Sequence, residues 1–271
     1  MKRTRLALAV PLAVLSLALA ATPVAAQDAS VTAELINGLN AKLLVVAIPI
    51  TILVEGILLY TVYKFKDADE AKPTRENRRL EITWTIATAV ILLFVGVASY
   101  GVLANPNVTL PADQAQAENI PDDAVVVEST AFQWGWNMSY PREGLTNVQG
   151  GDTDLTSSGD PVIVVPVDTE IYFRVSATDV IHAFHAPQLG LKQDAIPGQT
   201  NTIKTTITQT GEYQGYCAEY CGVGHSNMYF TVVVVSQDEY QSFLESQQGG
   251  SSASVEVDGP VAPPQVAATP A

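Results

Sequence analysis

The chain has three apolar runs before residue 104, followed by short apolar segments that alternate with polar ones. The second run, Leu43–Tyr63, has 21 residues with one charge, Glu55, and the third, Ile82–Leu103, has 22 residues without a charge. At 1.5 Å per residue, each run forms a helix of about 32 Å, long enough to cross a hydrocarbon core. The pattern therefore predicts a hairpin of two transmembrane helices within residues 27–103.

The first apolar run has the composition of a secretory signal. A basic start is followed by the apolar stretch Leu6–Ala20 and by small residues at Pro23–Ala26. A third membrane span is the alternative, but the stretch is short for one. We therefore interpret residues 1–26 as a signal peptide.

The segment between the two predicted spans is short and strongly basic. It carries six Lys and Arg residues between Lys64 and Arg79. Basic loops of this kind stay in the cytoplasm. The mature N-terminus and everything after Leu103 are then extracytoplasmic, and together with the signal peptide this predicts a multi-pass protein of a prokaryotic plasma membrane.

Residues 104–246 have the pattern of a β domain, because runs rich in Val, Ile, Thr, Tyr and Phe alternate with turn signals. With no long helical pattern between them, they predict an antiparallel β-sandwich or Greek-key barrel. Ser236–Glu239 is a capping box that predicts a short helix, and residues 247–271 have the composition of a disordered tail. The predicted strands are Ala124–Thr130, Pro161–Val167, Glu170–Ser176, Asn201–Thr208 and Met228–Ser236.

Charge separates the β domain from the hairpin. The whole chain carries −14, whereas residues 104–271 have four basic against 20 acidic side chains, a net charge of −16. Such acidity argues against nucleic acid binding. It favours a basic protein partner through electrostatic steering, and adaptation to high salt is the alternative explanation.

The candidate chemistry lies between residues 217 and 228, just before a predicted strand. Cys217, Cys221, His225 and Met228 offer two thiolates, an imidazole and a thioether. Soft sulfur with imidazole selects copper, zinc or iron–sulfur, and Met disfavours zinc. A single blue copper site needs one Cys, and this loop contains two. The second Cys indicates two copper ions bridged by both thiolates. A structural disulfide is the alternative, since exported domains often contain one.

A second imidazole has to come from elsewhere in the β domain. His182 and His185 are the candidates, and they are three residues apart. Since side chains alternate across a strand, an odd separation places the two rings on opposite faces. At most one of them is therefore expected to point at the metal.

Four further motifs accompany the loop 217–228, namely Leu80–Thr85 (LEITWT), Gln133–Trp136 (QWGW), Asp179–His182 (DVIH) and Lys192–Gly198 (KQDAIPG). With these motifs, the chain over about residues 30–245 resembles subunit II of haem–copper terminal oxidases, which carries the dinuclear copper A centre in cytochrome c oxidase. This resemblance implies a cupredoxin-like domain on a two-helix membrane hairpin.

The resemblance also implies a ligand set. His182 and His225 would each bind one copper ion, and both cysteines would bridge the pair. Met228 would complete one ion and the main-chain carbonyl of Glu219 the other. The Glu219 side chain would in addition reach a magnesium or manganese ion at the boundary with the catalytic subunit.

The implied function is to accept electrons from a soluble donor and pass them to haem in catalytic subunit I, where oxygen is reduced with proton translocation. Trp134 matches the residue where electrons arrive, while Trp136 has a packing or docking role. Asp179 and nearby carboxylates are candidates for the docking surface. Glu81 matches the entrance of a proton path, and Glu55, inside the first span, is expected to face a partner subunit. The donor is a cytochrome c or a small blue-copper protein.

The chain departs from the family pattern at Gly135, which replaces a common aromatic residue, at His185, which replaces a frequent Trp or Tyr, and at Gln193, which replaces a common Met, and its second span lacks the usual proline. Glu219 and His185 point to different branches of the family, which leaves the oxidase branch open. Two other interpretations fit parts of the sequence. A free-standing membrane-anchored cupredoxin with one copper is disfavoured by the second Cys and by Glu81. A quinol oxidase subunit that has lost its copper is disfavoured because every ligand position is intact.

Overall fold

The computed structural model describes residues 28–70, 73, 75–111, 119–146, 148 and 160–249. The predicted signal peptide and residues 250–271 of the predicted tail lie outside the described residues. Within those residues, two long helices precede a β domain and a short C-terminal helix.

The two long helices contain the predicted spans. Helix α1 is Val31–Phe65 and helix α2 is Arg78–Leu103, and both are long and apolar enough to cross a membrane. Helix α1 starts earlier than its apolar run, because the Ser30 hydroxyl caps it by accepting a hydrogen bond from Ala33 N. Asn77 caps α2 in the same way.

The early start of α1 attaches the hairpin to the β domain. The Ser30 hydroxyl donates to the carbonyl of Leu189 (2.7 Å), and the hydroxyls of Thr32 and Thr205 are hydrogen-bonded at 2.8 Å. Ser30 and Thr32 are buried there. Buried polar groups are costly unless paired, so these contacts fix where the first membrane helix leaves the domain.

The β domain is a sandwich of two sheets, with strand orders β2-β1-β4-β7 and β3-β9-β8-β5-β6. The predicted sandwich is confirmed, but the expectation of purely antiparallel pairing is wrong. Strands β1 and β4 pair in parallel, as do β3 and β9, because the chain crosses to the other sheet before it returns. The strands are β1 (Val125–Phe132), β2 (Gly135–Ser139), β3 (Val162–Pro166), β4 (Glu170–Ala177), β5 (His182–Ala186), β6 (Leu191–Ala195), β7 (Asn201–Thr206), β8 (Gly211–Cys217) and β9 (Tyr229–Val235).

The predicted C-terminal helix is present as α3, Gln237–Gly249. Its capping box is formed as expected: Ser236 N donates to the Glu239 carboxylate (2.7 Å), and Glu239 N donates to the Ser236 hydroxyl (3.3 Å). The helix takes up the first three residues of the predicted tail.

Aromatic side chains fill the space between the sheets next to the predicted metal site. The ring of Phe184 stacks on Phe230 with centroids 4.4 Å apart, and Trp136 meets Phe230 edge-on at 5.4 Å. Trp136 also approaches the His182 ring at 6.5 Å and is only 1% exposed. Of its two predicted roles, Trp136 therefore has the packing role, and the core it joins supports a candidate ligand.

Candidate metal centre

Three neighbouring strands of the larger sheet, β5, β8 and β9, have one terminus each at the same edge of the sandwich, and these termini bring the candidate ligands together. His182 is the first residue of β5, Cys217 the last of β8, and Met228 directly precedes β9. Main-chain hydrogen bonds fix this arrangement, with Cys217 N donating to Met228 O (3.0 Å) and Ala218 N to Ala183 O (2.9 Å). The loop 218–227 closes the site and supplies the remaining candidates.

The side chains of the predicted set lie within a few ångströms of one another. The Cys217 and Cys221 Sγ atoms are 3.9 Å apart. Nδ1 of His182 is 3.8 Å from Cys217 Sγ, and Nδ1 of His225 is 3.6 Å from Cys221 Sγ. Met228 Sδ is 3.3 Å from Cys221 Sγ. The carbonyl oxygen of Glu219, the sixth donor atom, is 3.3 Å from Cys217 Sγ.

This donor set fits copper. A disulfide needs an S–S distance of about 2.05 Å, so the two cysteines, which are free, are not bonded to each other. His182, Cys217, Cys221 and Met228 are all buried, which shields the site from water. Two thiols, two imidazoles and a thioether form a soft set suited to copper, and no carboxylate lies among them.

The Cys221 thiol is held in its protonated form when no metal is bound. Burial, followed by the nearby Cys217 thiol, raises the pKa of Cys221 to about 11. Metals bind thiolates, so metal binding at this site has to displace a proton.

A carboxylate orients the buried histidine. Asp179 accepts a hydrogen bond from the His182 Nε2–H at 2.9 Å, with the proton placed on Nε2 because Nδ1 faces the cysteines. Asp179 also accepts from Gln133 N at 2.7 Å. Burial acts to raise the pKa of Asp179, but the hydrogen bonds, led by that from His182, lower it below its usual value. Asp179 thus contacts a candidate ligand directly, in addition to its predicted place on the docking surface.

The indole ring of Trp134 packs against the metal-binding loop, and the residue is 44% exposed. Its indole N–H donates to the Cys221 carbonyl at 3.2 Å, and the Gln133 side-chain amide donates to the same oxygen at 2.7 Å. The ring needs glycine beneath it: a Cβ on Gly224 would be 2.5 Å from Trp134 Cγ, and one on Gly222, whose φ is +121°, would be 3.1 Å from Cζ2. The indole therefore connects solvent with the backbone of a candidate ligand.

The other predicted residues lie outside the cluster. His185 points to the opposite face of β5, where its ring nitrogen donates to the Leu191 carbonyl at 3.0 Å and its ring contacts Tyr216. The Glu219 side chain is exposed. Glu81 is half-buried in the first turn of α2, remote in sequence from the β domain.

Sequence reasoning assigned no role to Gln133, Gly222 or Gly224. Gln133 belongs to the QWGW motif, and the glycines to the copper loop, so their position beside predicted functional residues was the available signal. Their contacts join segments about 90 residues apart, which no local pattern encodes.

The fold and the site together define a membrane-anchored, cupredoxin-like protein with a soft-donor metal centre. Two family models match it: "Cytochrome C oxidase subunit II, periplasmic domain" over residues 125–236, and "Cytochrome C oxidase subunit II, transmembrane domain" over residues 20–102. The chain belongs to the cytochrome c oxidase subunit II family. It is accordingly a membrane protein with a periplasmic domain, a subunit of a haem–copper oxidase complex and a member of a copper-binding family.

Similar proteins come from bacteria and yeast. Cytochrome c oxidase subunit 2 of Cereibacter sphaeroides is 33% identical over 252 residues, which cover 83% of this chain and 80% of the relative. The corresponding subunit of Vanderwaltozyma polyspora is 34% identical, covering 70% of this chain and 78% of the relative. Among solved structures, the periplasmic domain of subunit II from Bradyrhizobium japonicum is 34% identical, with a TM-score of 0.42, and covers 48% of this chain and 98% of that domain.

Proposed function

We propose that this chain is the electron-accepting subunit of a respiratory haem–copper oxidase. It takes electrons from a soluble donor and passes them to haem in catalytic subunit I, which reduces oxygen to water with proton translocation. The observation that carries the proposal is the set of six donor atoms around Cys217 and Cys221, four of them on buried side chains.

In this proposal the six donors hold two copper ions. His182 and His225 would each bind one ion, the Cys217 and Cys221 thiolates would be shared by both, and Met228 and the Glu219 carbonyl would complete one ion each. A copper pair bound here supplies one-electron chemistry in which no substrate bond is made or broken. The chain's part is to keep the ligands in place: strand ends fix three of them, and Asp179 fixes the His182 ring.

Trp134 is the proposed point at which electrons arrive. Support comes from its exposure and from its hydrogen bond to the main chain of Cys221, which joins the surface to the ligand cluster. The loops around it expose large apolar side chains, namely Val180, Ile181, Tyr220 and Val223. Exposed apolar patches of this kind mark protein interaction sites.

The donor is proposed to be a basic cytochrome c or a small blue-copper protein, since residues 104–271 carry a net charge of −16. Opposite charge accelerates encounter and orients the partners. We place the β domain outside a prokaryotic plasma membrane and the basic loop between the spans in the cytoplasm, in accordance with the distribution of positive charge.

Two carboxylates extend the proposal toward the catalytic subunit. The Glu219 side chain is exposed beside the cluster, where it is free to reach a magnesium or manganese ion shared with that subunit. Glu81 lies in the first turn of α2, at the cytoplasmic membrane surface in this orientation, and is proposed as the entrance of a proton path.

Stopped-flow reduction of the purified oxidase by reduced cytochrome c, or by a reduced blue-copper protein, tests the function. We expect the copper absorbance to change before the haem absorbance, and Trp134→Ala to slow this first phase without loss of copper. Haem reduction at an unchanged rate in oxidase carrying Cys217→Ser and Cys221→Ser would contradict the proposal.

A further inference from the structure

Glu55 is an ionisable side chain deep inside the first membrane span. At 1.5 Å per residue it lies about 18 Å along α1 from Leu43 and about 12 Å from Tyr63, the ends of the apolar run. It is therefore near the middle of a hydrocarbon core of about 30 Å. Ionisable groups at this depth are costly and generally face protein or a water-filled cavity.

The hairpin does not supply a partner for this carboxyl group. Within the described residues, Glu55 has neither a hydrogen bond nor an ion pair. The threonine hydroxyls of α1 donate to carbonyls of their own helix, Thr51 to Ala47 (2.9 Å) and Thr61 to Ile57 (2.8 Å). The α2 threonines do the same. The described residues therefore offer Glu55 no donor, and a neighbouring chain in the membrane is the source that the proposal below invokes.

The half of α1 that contains Glu55 is also uncovered by α2. Apart from Glu81 in the first turn of α2, the half-buried side chains of the two helices lie in the halves next to the β domain, and every α1 side chain from residue 47 to residue 65 is exposed. Around Glu55, Ile48, Ile52, Leu59 and Val62 form a stripe at helical spacing and are between 52% and 69% exposed. The half-buried residues are Val31, Leu35, Ile36, Leu39, Leu43 and Val46 on α1 and, besides Glu81, Ile91, Val95, Ala98, Ser99 and Val102 on α2.

We propose that this stripe, centred on Glu55, binds a transmembrane helix of another oxidase subunit that presents a hydrogen-bond donor to the Glu55 carboxyl group. Apolar side chains alone do not distinguish a helix from lipid, whereas a polar contact between helices does. Glu55 therefore sets which face of α1 meets the partner and at what depth. This role is independent of the copper centre.

Carbodiimide labelling tests the proposal in the assembled oxidase. Dicyclohexylcarbodiimide is an apolar reagent that modifies carboxyl groups reached from the membrane. Trypsin cleavage after Lys42 and Lys64 releases the peptide 43–64, in which Glu55 is the sole acidic side chain, so mass spectrometry assigns the label. Glu55→Gln serves as the control, because its peptide has no side-chain carboxyl group to label.

We expect labelling of the isolated full chain in detergent and loss of labelling in the complex. Equal labelling in both would show that Glu55 faces lipid, and no labelling in either would show that the chain or its copies cover it. Either result would overturn the proposal.

A second measurement follows subunit association. Glu55→Leu should weaken retention of the haem subunit during detergent washing by about threefold, and by at most about 18-fold, as expected for one polar contact between membrane helices. Thr61→Val is the matched control, since that hydroxyl is bonded within its own helix. Copper content should be unchanged in both variants. Unchanged haem retention in Glu55→Leu would refute the inference and leave the copper function untouched.

Discussion

Asp179 gives a direct test of how the β domain positions its metal ligands. Its carboxylate accepts from the His182 ring at 2.9 Å and from Gln133 N at 2.7 Å. A metal ion at Nδ1 of His182 leaves Nε2 as the ring nitrogen that carries a proton, so the ring has to donate to Asp179. Asp179→Asn retains only one side-chain oxygen that can accept. Either the His182 Nε2–H or the Gln133 N–H then faces the NH₂ group of the Asn, which is itself a donor.

Two independent estimates give the size of the effect. Hydrogen bonds to charged groups contribute about 1.5–3 kcal/mol. Removal of a hydrogen-bond partner of a metal-bound histidine lowers metal affinity about 10–100-fold, which corresponds to roughly 1.4–2.8 kcal/mol. Because the two ranges overlap, we expect the Asp179→Asn variant to bind copper about 10–100-fold more weakly than the wild type.

The assay is a competition titration of the reduced full chain in detergent, with Cu(I) and a colorimetric chelator. The control is Asp168→Asn, an equal change of charge in the β3–β4 turn, at the end of the sandwich opposite the metal-binding loop. Asn tolerates the positive φ of 56° at this position. Copper affinity in Asp179→Asn equal to that of the control would refute the assigned role.

Three further predictions concern the loop, the thiols and the core. Gly224→Ala places a Cβ 2.5 Å from Trp134 Cγ and should displace the indole, which a shift in tryptophan fluorescence with retained copper would report; an unchanged spectrum would contradict the contact. Because the pKa of Cys221 is about 11, this thiol keeps its proton below that pH in the folded, metal-free protein. Copper uptake at neutral pH should therefore release protons, and copper affinity should rise with pH. A pH-stat titration without proton release would contradict this prediction. Tyr140→Phe removes a buried hydroxyl that donates to Val164 O (2.8 Å) and accepts from Val164 N (2.6 Å), and should lower the free energy of unfolding by about 2 kcal/mol in denaturant titrations, whereas a loss near zero would show that the pair is dispensable.

The sequence predicted those parts of the fold that have a strong local signal. The two apolar runs lie inside α1 and α2, and the Val- and Ile-rich segments correspond to β1, β3, β4, β7 and β9. Strands β2, β5, β6 and β8 were missed because they are short or contain glycine and polar residues, as in Leu191–Ala195 and Gly211–Cys217. Their pairing in the sheet, rather than their composition, makes them strands.

The candidate site divides in the same way. The ligand loop was apparent because four soft donors lie within twelve residues, and the alternation of side chains along a strand predicted that His182 and His185 would face opposite ways. The hydrogen bond that Gln133 N donates to Asp179 and the one between Thr32 and Thr205 were not predictable, since they join residues 46 and 173 positions apart. Such contacts exist only once the sheets and the first helix have come together.

Electron paramagnetic resonance of the copper-loaded full chain, combined with a copper-to-protein ratio, tests the central claim most directly. The account predicts two copper ions per chain and hyperfine structure from one unpaired electron shared equally by two copper nuclei. It also predicts loss of this signal in His182→Ala and its retention in His185→Ala. One copper ion per chain with the spectrum of a single blue copper site would contradict the account.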